Sequence, residues 1–224
     1  MRETERVDEG LGKVQRVYEH LRRGIRRLRI APGAVLDRDE IAQRLGVSRA
    51  PVRAAVARLA EEGLVEIFPR RGSFVSPIRR VEVRESLFVR MALEVEAARR
   101  SAVQAHPMLV ERLEDNLARQ GEAVRGGNMA RLHRLDEAFH EAIWEAVDGH
   151  WRQRMLELIR APLDRPLRLA FTKNNRPEET LAEHRRIVDA IISGDADQAG
   201  DAMRAHLSVV ETMVDRAVAR VASR

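Results

Sequence analysis

The chain has no cysteine among its 224 residues, which excludes disulfide bonds and thiolate metal sites. It has no apolar run of the roughly 18 residues that a membrane-spanning helix needs. Its first residues also lack the apolar core of a signal peptide. These absences predict a cytoplasmic protein without a membrane partner.

Basic charge is concentrated in the first third of the chain. Residues 1–78 carry 16 Lys and Arg against 11 Asp and Glu, whereas residues 79–224 carry 24 of each class. The whole net charge of +5 therefore lies in the first segment. A basic segment followed by a neutral one predicts a nucleic-acid-binding module joined to a domain with another task. The alternative is a chance imbalance in an arginine-rich chain.

A helix-turn-helix pattern is the most informative feature of the basic segment. Asp37 is expected to cap a short helix, and Gly46 can take the left-handed conformation of a tight turn. Ser48 is a favourable N-cap for a second helix, whose apolar residues recur at helical spacing. Arg49 and Arg53 share a different face near the start of this helix. Because guanidinium groups bind phosphates and guanine edges, the second helix is predicted to contact DNA.

The neighbouring segments complete a winged form of this motif. Residues 11–29 have the apolar spacing of an amphipathic helix. After Gly63, two short alternating runs flank a Pro-Arg-Arg-Gly turn, which is a hairpin pattern with Arg71 and Gly72 near its tip. We therefore predict a winged helix-turn-helix DNA-binding domain over residues 1–77.

Residues 78–224 are predicted to form an all-helical bundle, because no strand pattern is convincing beyond residue 76. Pro162, Pro166 and the segment 172–177 are expected to interrupt the helical pattern. The expected helices lie near residues 80–104, 109–118, 128–147, 156–159, 178–193 and 195–221. The fold class is thus mainly α, with a small β-hairpin wing.

Six of the seven histidines lie in this second segment. Asp136 and His140 are four residues apart on one predicted helix, while His184 and His206 lie on the last two helices among apolar neighbours. Three imidazoles and one carboxylate that converge would suit Zn, Ni, Co or Mn. By spacing alone, the alternative of hydrogen-bonded interior histidines stays open. His133 lies on a nearby face and is expected at the surface.

Two sets of motifs carry a resemblance to known proteins. The first set is Pro32-Gly33, Leu36, Leu45-Gly46-Val47-Ser48-Arg49, Pro51-Val52-Arg53, Leu59, Glu62-Gly63-Leu64-Val65 and Arg71-Gly72. The second set is Arg90, Glu94, Asp136-x-x-Phe139-His140, Glu183-His184 with Ile187, Ala190 and Ile191, and Met203-Arg204-x-His206-Leu207. The first set resembles the DNA-binding domain of the GntR superfamily of bacterial transcription regulators. The second resembles the all-helical FCD ligand-binding domain of its FadR subfamily.

The first resemblance implies DNA contacts for Arg49 and for Arg53, the latter divided between base edge and phosphate. Ser48 either caps its helix or also binds a phosphate. Arg71 and Gly72 either contact DNA from the wing or form a plain turn.

One position departs from the GntR pattern. The family often has an acidic-then-basic pair where this chain has Arg38-Asp39, and in relatives the basic member contacts DNA. A carboxylate at residue 39 would repel phosphate. Arg38 is therefore expected to substitute from a neighbouring direction.

The second resemblance implies a metal site. In metal-binding members of the subfamily, one Asp and three His hold a divalent cation inside the bundle. The corresponding residues are Asp136, His140, His184 and His206, and Zn or Ni is the expected ion.

Arg90 is expected to face the bundle interior near this site. It would bind the carboxylate of a small effector or, as the alternative, form a salt bridge to Glu94 four residues on.

Together these observations predict a homodimeric transcription regulator that binds a short palindromic operator in double-stranded DNA and is not an enzyme. In families of this kind the regulator is more often a repressor than an activator. Binding of a small carboxylate effector in the second domain would change operator affinity. Three alternatives stay open at this point: a metal-sensing regulator without an organic effector, a metalloenzyme, and a non-specific architectural DNA-binding protein.

Overall fold

The structure, a computed structural model, describes residues 2–145, 152–173 and 176–222. The chain forms two compact units, Met1–Ile78 and Arg79–Arg224. Helices dominate both units, and the two strands found in the described residues form one sheet in the first unit. The mainly α fold class with a small hairpin is therefore confirmed. No described helix combines the length and the apolar character that spanning a membrane requires.

The first unit is a three-helix motif with a hairpin wing. In the antiparallel hairpin, Val65 lies opposite Val75 and Phe68 lies opposite Gly72. Its elements in chain order are α1 (Arg2–Arg26), α2 (Arg38–Leu45), α3 (Arg49–Glu61), β1 (Val65–Phe68) and β2 (Gly72–Val75).

Local sequence signals set the ends of α2 and α3. The Asp37 side chain accepts hydrogen bonds from the backbone N–H groups of Asp39 and Glu40, so it caps α2 as expected. Gly46 adopts φ +64°, which lets the chain turn directly into the next helix. Ser48 occupies the N-cap position of α3 in extended conformation, but its side chain makes no capping hydrogen bond.

Helix α1 differs from the predicted range of 11–29, since it begins at Arg2 and ends at Arg26. It ends early because Leu28 takes a left-handed conformation at φ +57°. The N–H of Arg29 then bonds back to the carbonyl of Gly24 at 2.9 Å. The buried face of α1 packs into one core with α2, α3 and the hairpin, formed by Val17, Leu21, Ile25, Ile41, Val52, Val56, Leu59, Val65 and Val75.

The loop before α2 fastens the wing to the helices. Leu36 N–H bonds to the Ser73 carbonyl at 2.8 Å, and Gly33 N–H bonds to the Val75 carbonyl at 2.9 Å. The start of α2 and strand β2 therefore form one rigid edge beside α3.

The second unit is a helical bundle. Its largest apolar core joins side chains of α4, α5, α6, α8 and α9, and includes Val95, Leu113, Phe139, Ile143, Ile187, Ile191 and Met203. The described helices in chain order are α4 (Arg80–Gln104), α5 (Pro107–Arg125), α6 (Met129–Glu145), α7 (Arg152–Lys173), α8 (Pro177–Ile192) and α9 (Ala196–Ala222).

Helix α7 contradicts one expectation, because Pro162 and Pro166 lie inside it and do not interrupt it. An internal proline removes a backbone hydrogen bond and costs about 3 kcal/mol in an isolated helix. Here the helix buries Ile159 and Leu163 and packs against α4, α6 and α9. Tertiary packing thus offsets the local penalty of the two prolines. The positions of the prolines in the sequence could not indicate this packing.

Candidate metal centre and DNA-binding surface

Four buried side chains from three helices of the second unit converge on one point. Asp136 and His140 lie one turn apart on α6, His184 lies on α8 and His206 lies on α9. One ligand atom from each of them lies within 4.8 Å of all the others. Asp136 Oδ1 is 3.5 Å from His184 Nε2 and 4.0 Å from His140 Nε2. The structure therefore brings together the four residues that the sequence singled out.

The atoms that face this point have no hydrogen-bond partner among the described residues. They are Asp136 Oδ1 and the Nε2 atoms of His140, His184 and His206. A single buried polar group without a partner costs about 1–3 kcal/mol. A divalent cation would satisfy all four at once, and three imidazoles with one carboxylate suit Zn or Ni. The residues present therefore fit a metal ion.

A chain of hydrogen bonds fixes the orientation of His184. It starts at the Leu135 carbonyl, which can only accept, and which receives Asn116 Nδ2 at 3.1 Å. Asn116 Oδ1 then accepts from Gln120 Nε2 at 2.7 Å. Gln120 Oε1 is left to accept from His184 Nδ1, 2.9 Å away. His184 Nδ1 thus carries the proton, and the Nε2 lone pair points to the cluster.

The other two histidines have carboxylates behind them. His206 Nδ1 lies 2.9 Å from Glu183 Oε2, and His140 Nδ1 lies 2.6 Å from Glu94 Oε2. The hydrogen bond with Glu183 orients the His206 imidazole and directs its Nε2 toward the cluster. Glu94 lies against Nδ1 of His140 at ion-pair distance.

Burial favours the neutral form of two of the imidazoles, His184 and His206. It lowers the pKa of His184 well below the ordinary value, and His206 and His140 add to the effect. Burial also lowers the pKa of His206, although the bond to Glu183 opposes it. Neutral imidazoles have the free lone pairs that metal binding needs.

Arg90 lies at the edge of this cluster and is 7% exposed. Its Nε donates to Glu94 Oε1 at 2.8 Å, so the salt bridge that was the alternative role of Arg90 is present. Burial alone would raise the pKa of Glu94, but Arg90 and His140 outweigh it and lower the pKa. Arg90 Nη1 is buried and has no hydrogen-bond partner within the described part of the chain. The arginine can therefore bind an additional anionic group.

Sequence reasoning missed the partners behind the histidines. Asn116 and Gln120 are buried four residues apart on the apolar face of α5. Two polar residues on an otherwise apolar helical face are a signal that was available in the sequence. The role of Glu183 was likewise hidden, because it depends on the contact between α8 and α9.

The expectation that His133 lies at the surface is wrong. The side chain is 3% exposed, and its ring centroid lies 5.2 Å from that of Phe171 on α7. Its Nε2 is 3.5 Å from Glu137 Oε1. The error arose because α7 was predicted only as a short segment, too short to cover this face of α6.

The first unit has a cleft of about 590 Å³. It is bordered by the turn before α2, by the start of α3 and by the wing. Arg49 and Arg53 project from exposed positions of α3 along one wall. Arg38 is half-buried and donates to Ser73 Oγ at 3.2 Å, which links α2 to the wing. Gly72 lies on the wing side, at φ +111°.

The remaining predicted DNA contacts lie outside this cleft. Ser48 and Arg71 are exposed, and the Arg71 guanidinium lies 5.6 Å from the Phe68 ring centroid at the wing tip. Arg49 is paired with Asp39, whose Oδ1 lies 2.6 Å from Arg49 Nε. Both residues that depart from the GntR pattern therefore make contacts within this unit. Arg38 bonds to the wing, and Asp39 pairs with Arg49.

Comparison with known proteins assigns both units. Residues 13–75 match the family described as bacterial regulatory proteins, gntR family, and residues 85–209 match the FCD domain. The HTH-type transcriptional repressor RspR of Escherichia coli K12 is 36% identical over 200 residues, 89% of this chain and 88% of RspR. An HTH-type transcriptional regulator in an unstable DNA locus of Streptomyces ambofaciens is 38% identical over 203 residues, with coverage of 89% and 84%.

Solved structures share the fold. E. coli McbR/YncC matches with a TM-score of 0.73 at 19% identity, covering 91% of this chain and 97% of that chain. A chain described as a GntR regulator from Rhodococcus sp. RHA1 matches with a TM-score of 0.72 at 22% identity, with the same coverage.

The hydrogen-bond chain behind His184 makes a prediction about stability. Gln120→Leu leaves His184 Nδ1–H and Asn116 Oδ1 buried without partners, so it should lower the free energy of unfolding by about 1–3 kcal/mol. Urea unfolding in EDTA, followed by tryptophan fluorescence, measures it, because both tryptophans lie in the second unit. The exposed Gln104→Leu serves as the matched control and should stay within about 0.5 kcal/mol of wild type. Equal changes in the free energy of unfolding for the two substitutions would contradict the hydrogen-bond chain behind His184.

Proposed function

Since the chain belongs to the GntR family of bacterial regulatory proteins and carries an FCD domain, we propose that it is a metal-loaded, homodimeric repressor controlled by a small carboxylate effector. That it is a DNA-binding transcription regulator and not an enzyme follows from the family itself. The observation that carries the metal and effector proposal is the convergence of four buried, unpartnered ligand atoms beside a buried arginine. Repression is inferred from the likeness to RspR, which is named a repressor.

DNA binding is assigned to α3 and the wing of each subunit. Arg49 and Arg53 would contact base edges and phosphates in the major groove, and Ser48 would bind a phosphate at the start of α3. Arg71 and Gly72 would approach the backbone or the minor groove from the wing. Two such units in a dimer fit a palindromic site of two half-sites.

The metal is assigned to Asp136, His140, His184 and His206, with Zn or Ni as the expected ion. An ion that takes more than four ligands, as Ni does or as Zn does when it becomes five-coordinate, would leave a coordination position for an oxygen of the effector. Arg90 Nη1 would bind the effector's carboxylate, since its own surroundings among the described residues supply no acceptor.

Control of DNA binding would then be a coupling between two sites. An effector that binds one arrangement of the dimer more tightly than another shifts the population toward that arrangement. If the favoured arrangement spaces the two α3 helices wrongly for the palindrome, the repressor is released from DNA.

The dimer is assigned to an exposed apolar stripe on α4. Val81 and Phe88, two turns apart, are 68% and 76% exposed, and Val89 and Leu93 are exposed on the adjoining part of the helix surface. A group of large exposed apolar side chains on one helix favours an interaction site, whereas single exposed apolar residues do not. A second copy is the expected occupant because a palindromic site requires two identical DNA-binding units related by a twofold axis.

The metal assignment predicts the metal content of variants. Purified protein loaded with Zn and then desalted should hold about one ion per subunit, and His206→Ala should lose most of it, since outer partners alone cannot replace a ligand. Elemental analysis measures the ion. His106→Ala is the control, because His106 is exposed and its side chain caps nothing. Unchanged metal in His206→Ala would remove this residue from the site.

The effector assignment predicts a selective loss of ligand response. Acetate, succinate and citrate serve as probes, and at least one should raise the melting temperature of the Zn-loaded protein. Arg90→Lys keeps a positive charge beside Glu94 but loses the second donor edge, so it should abolish this shift. Arg100→Lys is the matched control, because Arg100 Nε contacts Glu96 at 2.9 Å on the same helix but is exposed.

The same proteins separate the effector model from metal sensing. Affinity for a duplex selected from a randomised library is measured at fixed salt, with Zn alone and with Zn plus the stabilising carboxylate. The proposal expects the carboxylate to weaken binding about tenfold or more, equal to roughly 1.4 kcal/mol. A change of this size caused by Zn alone, with no further effect of any carboxylate, would favour the metal-sensing alternative.

The dimer assignment predicts that Phe88→Glu yields monomers. A carboxylate at the centre of an apolar interface would be buried without a partner, which opposes association. Sedimentation velocity measures the subunit mass. Met108→Glu, at a position 73% exposed on α5, is the control and should leave the dimer intact. A dimer that survives Phe88→Glu would place the interface elsewhere.

A further inference from the structure

The DNA-contacting helix α3 carries an ion pair that its fold does not need. Arg49 Nε lies 2.6 Å from Asp39 Oδ1, and Arg49 Nη2 donates to Asp39 Oδ2 at 2.8 Å. The two side chains are 79% and 60% exposed. An exposed pair contributes little to stability. A carboxylate beside an arginine that faces DNA therefore calls for another explanation.

The contact is a side-on, bidentate one, and it leaves a defined set of donors. A guanidinium has five N–H groups in one plane. Asp39 Oδ2 accepts from one N–H of Nη2, and Oδ1 lies against Nε, so both N–H groups of Nη1 and the second N–H of Nη2 stay directed away from the carboxylate. These remaining donors form the end-on fork that pairs with O6 and N7 of guanine.

Asp39 itself is held in place by the start of α2. Its backbone N–H bonds to Asp37 Oδ1 at 2.8 Å, as part of the helix cap. Arg38, the preceding residue, is tied to the wing through Ser73 Oγ at 3.2 Å. The carboxylate therefore projects from a rigid edge of the cleft, and a rigid acceptor fixes the plane of a flexible arginine.

We propose that Asp39 determines sequence specificity, because it orients Arg49 toward a guanine edge and keeps it from phosphates. The carboxylate neutralises Arg49 and repels the DNA backbone, which lowers affinity for arbitrary sequences. The oriented fork keeps its affinity for guanine. Both effects widen the difference between the correct site and all others, which is how specificity is defined. This inference rests on sequence-specific DNA binding, the function proposed above.

The test starts from selection of duplexes from a randomised library by the full-length protein, followed by sequencing. Wild type should select a guanine at one fixed position of each half-site. Asp39→Ala should lower the affinity ratio between this duplex and one with that guanine replaced by about tenfold. Affinity for a scrambled duplex should rise at the same time, since a negative charge is lost. Fluorescence anisotropy at fixed salt measures both.

Asp39→Asn provides a variant of the same shape. Its amide presents an N–H₂ group where a carboxylate oxygen accepted, so it cannot hold Arg49 by both contacts. It should show the same loss of guanine preference. Glu40→Gln and Glu40→Ala are the matched controls, because Glu40 is an exposed carboxylate in the same turn of α2. They should raise affinity for scrambled DNA and leave the base preference unchanged.

A double-mutant cycle separates orientation of Arg49 from general repulsion. In an Arg49→Ala background, the further change Asp39→Ala should no longer alter base preference, since there is no guanidinium to orient. The inference is overturned if Asp39→Ala keeps the wild-type preference, or if its effect persists without Arg49. Failure of wild type to select any sequence would instead overturn sequence-specific DNA binding itself.

Discussion

The geometry of the metal centre depends on one constraint, namely that a backbone carbonyl can accept a hydrogen bond but never donate one. The Leu135 carbonyl fixes the amide of Asn116, which fixes the amide of Gln120, which fixes the proton on His184. Because Leu135 precedes Asp136 on α6, this series of hydrogen bonds begins next to one residue of the cluster and ends at another. Helix α5 contributes none of the four candidate ligands and nevertheless determines which nitrogen of His184 faces the cluster.

The side chains of the candidate sites are buried in the second unit and mostly exposed in the first. In the second unit the charged and polar groups of the candidate site are buried against each other, as with Arg90, Glu94 and His140. In the first unit the important arginines are exposed, and the buried residues only hold the helices and wing in place. A site that binds a small ion or molecule excludes water, whereas a site that binds a long polyanion has to stay open to it.

The sequence predicted what depends on local pattern. Capping by Asp37, the turn at Gly46 and the i, i+4 pair Asp136 and His140 are visible within a few residues. The prediction that His184 and His206 lie beside Asp136 and His140 came from the family resemblance. No rule of residue spacing places side chains of separate helices together. The features that sequence missed, the burial of His133 and the continuity of α7 through Pro162 and Pro166, depend on which helix covers which face. Such information lies in tertiary contacts and not in local propensity.

The two prolines of α7 also bear on the order in which the chain folds. A helix with prolines four residues apart has little stability of its own, so we expect it to form only against partners that are already in place. One of these partners, α9, spans Ala196–Ala222 and is therefore synthesised after α7. On the ribosome, α7 would have to wait for α9 to emerge. The cover over His133 would then be among the last parts of the second unit to close.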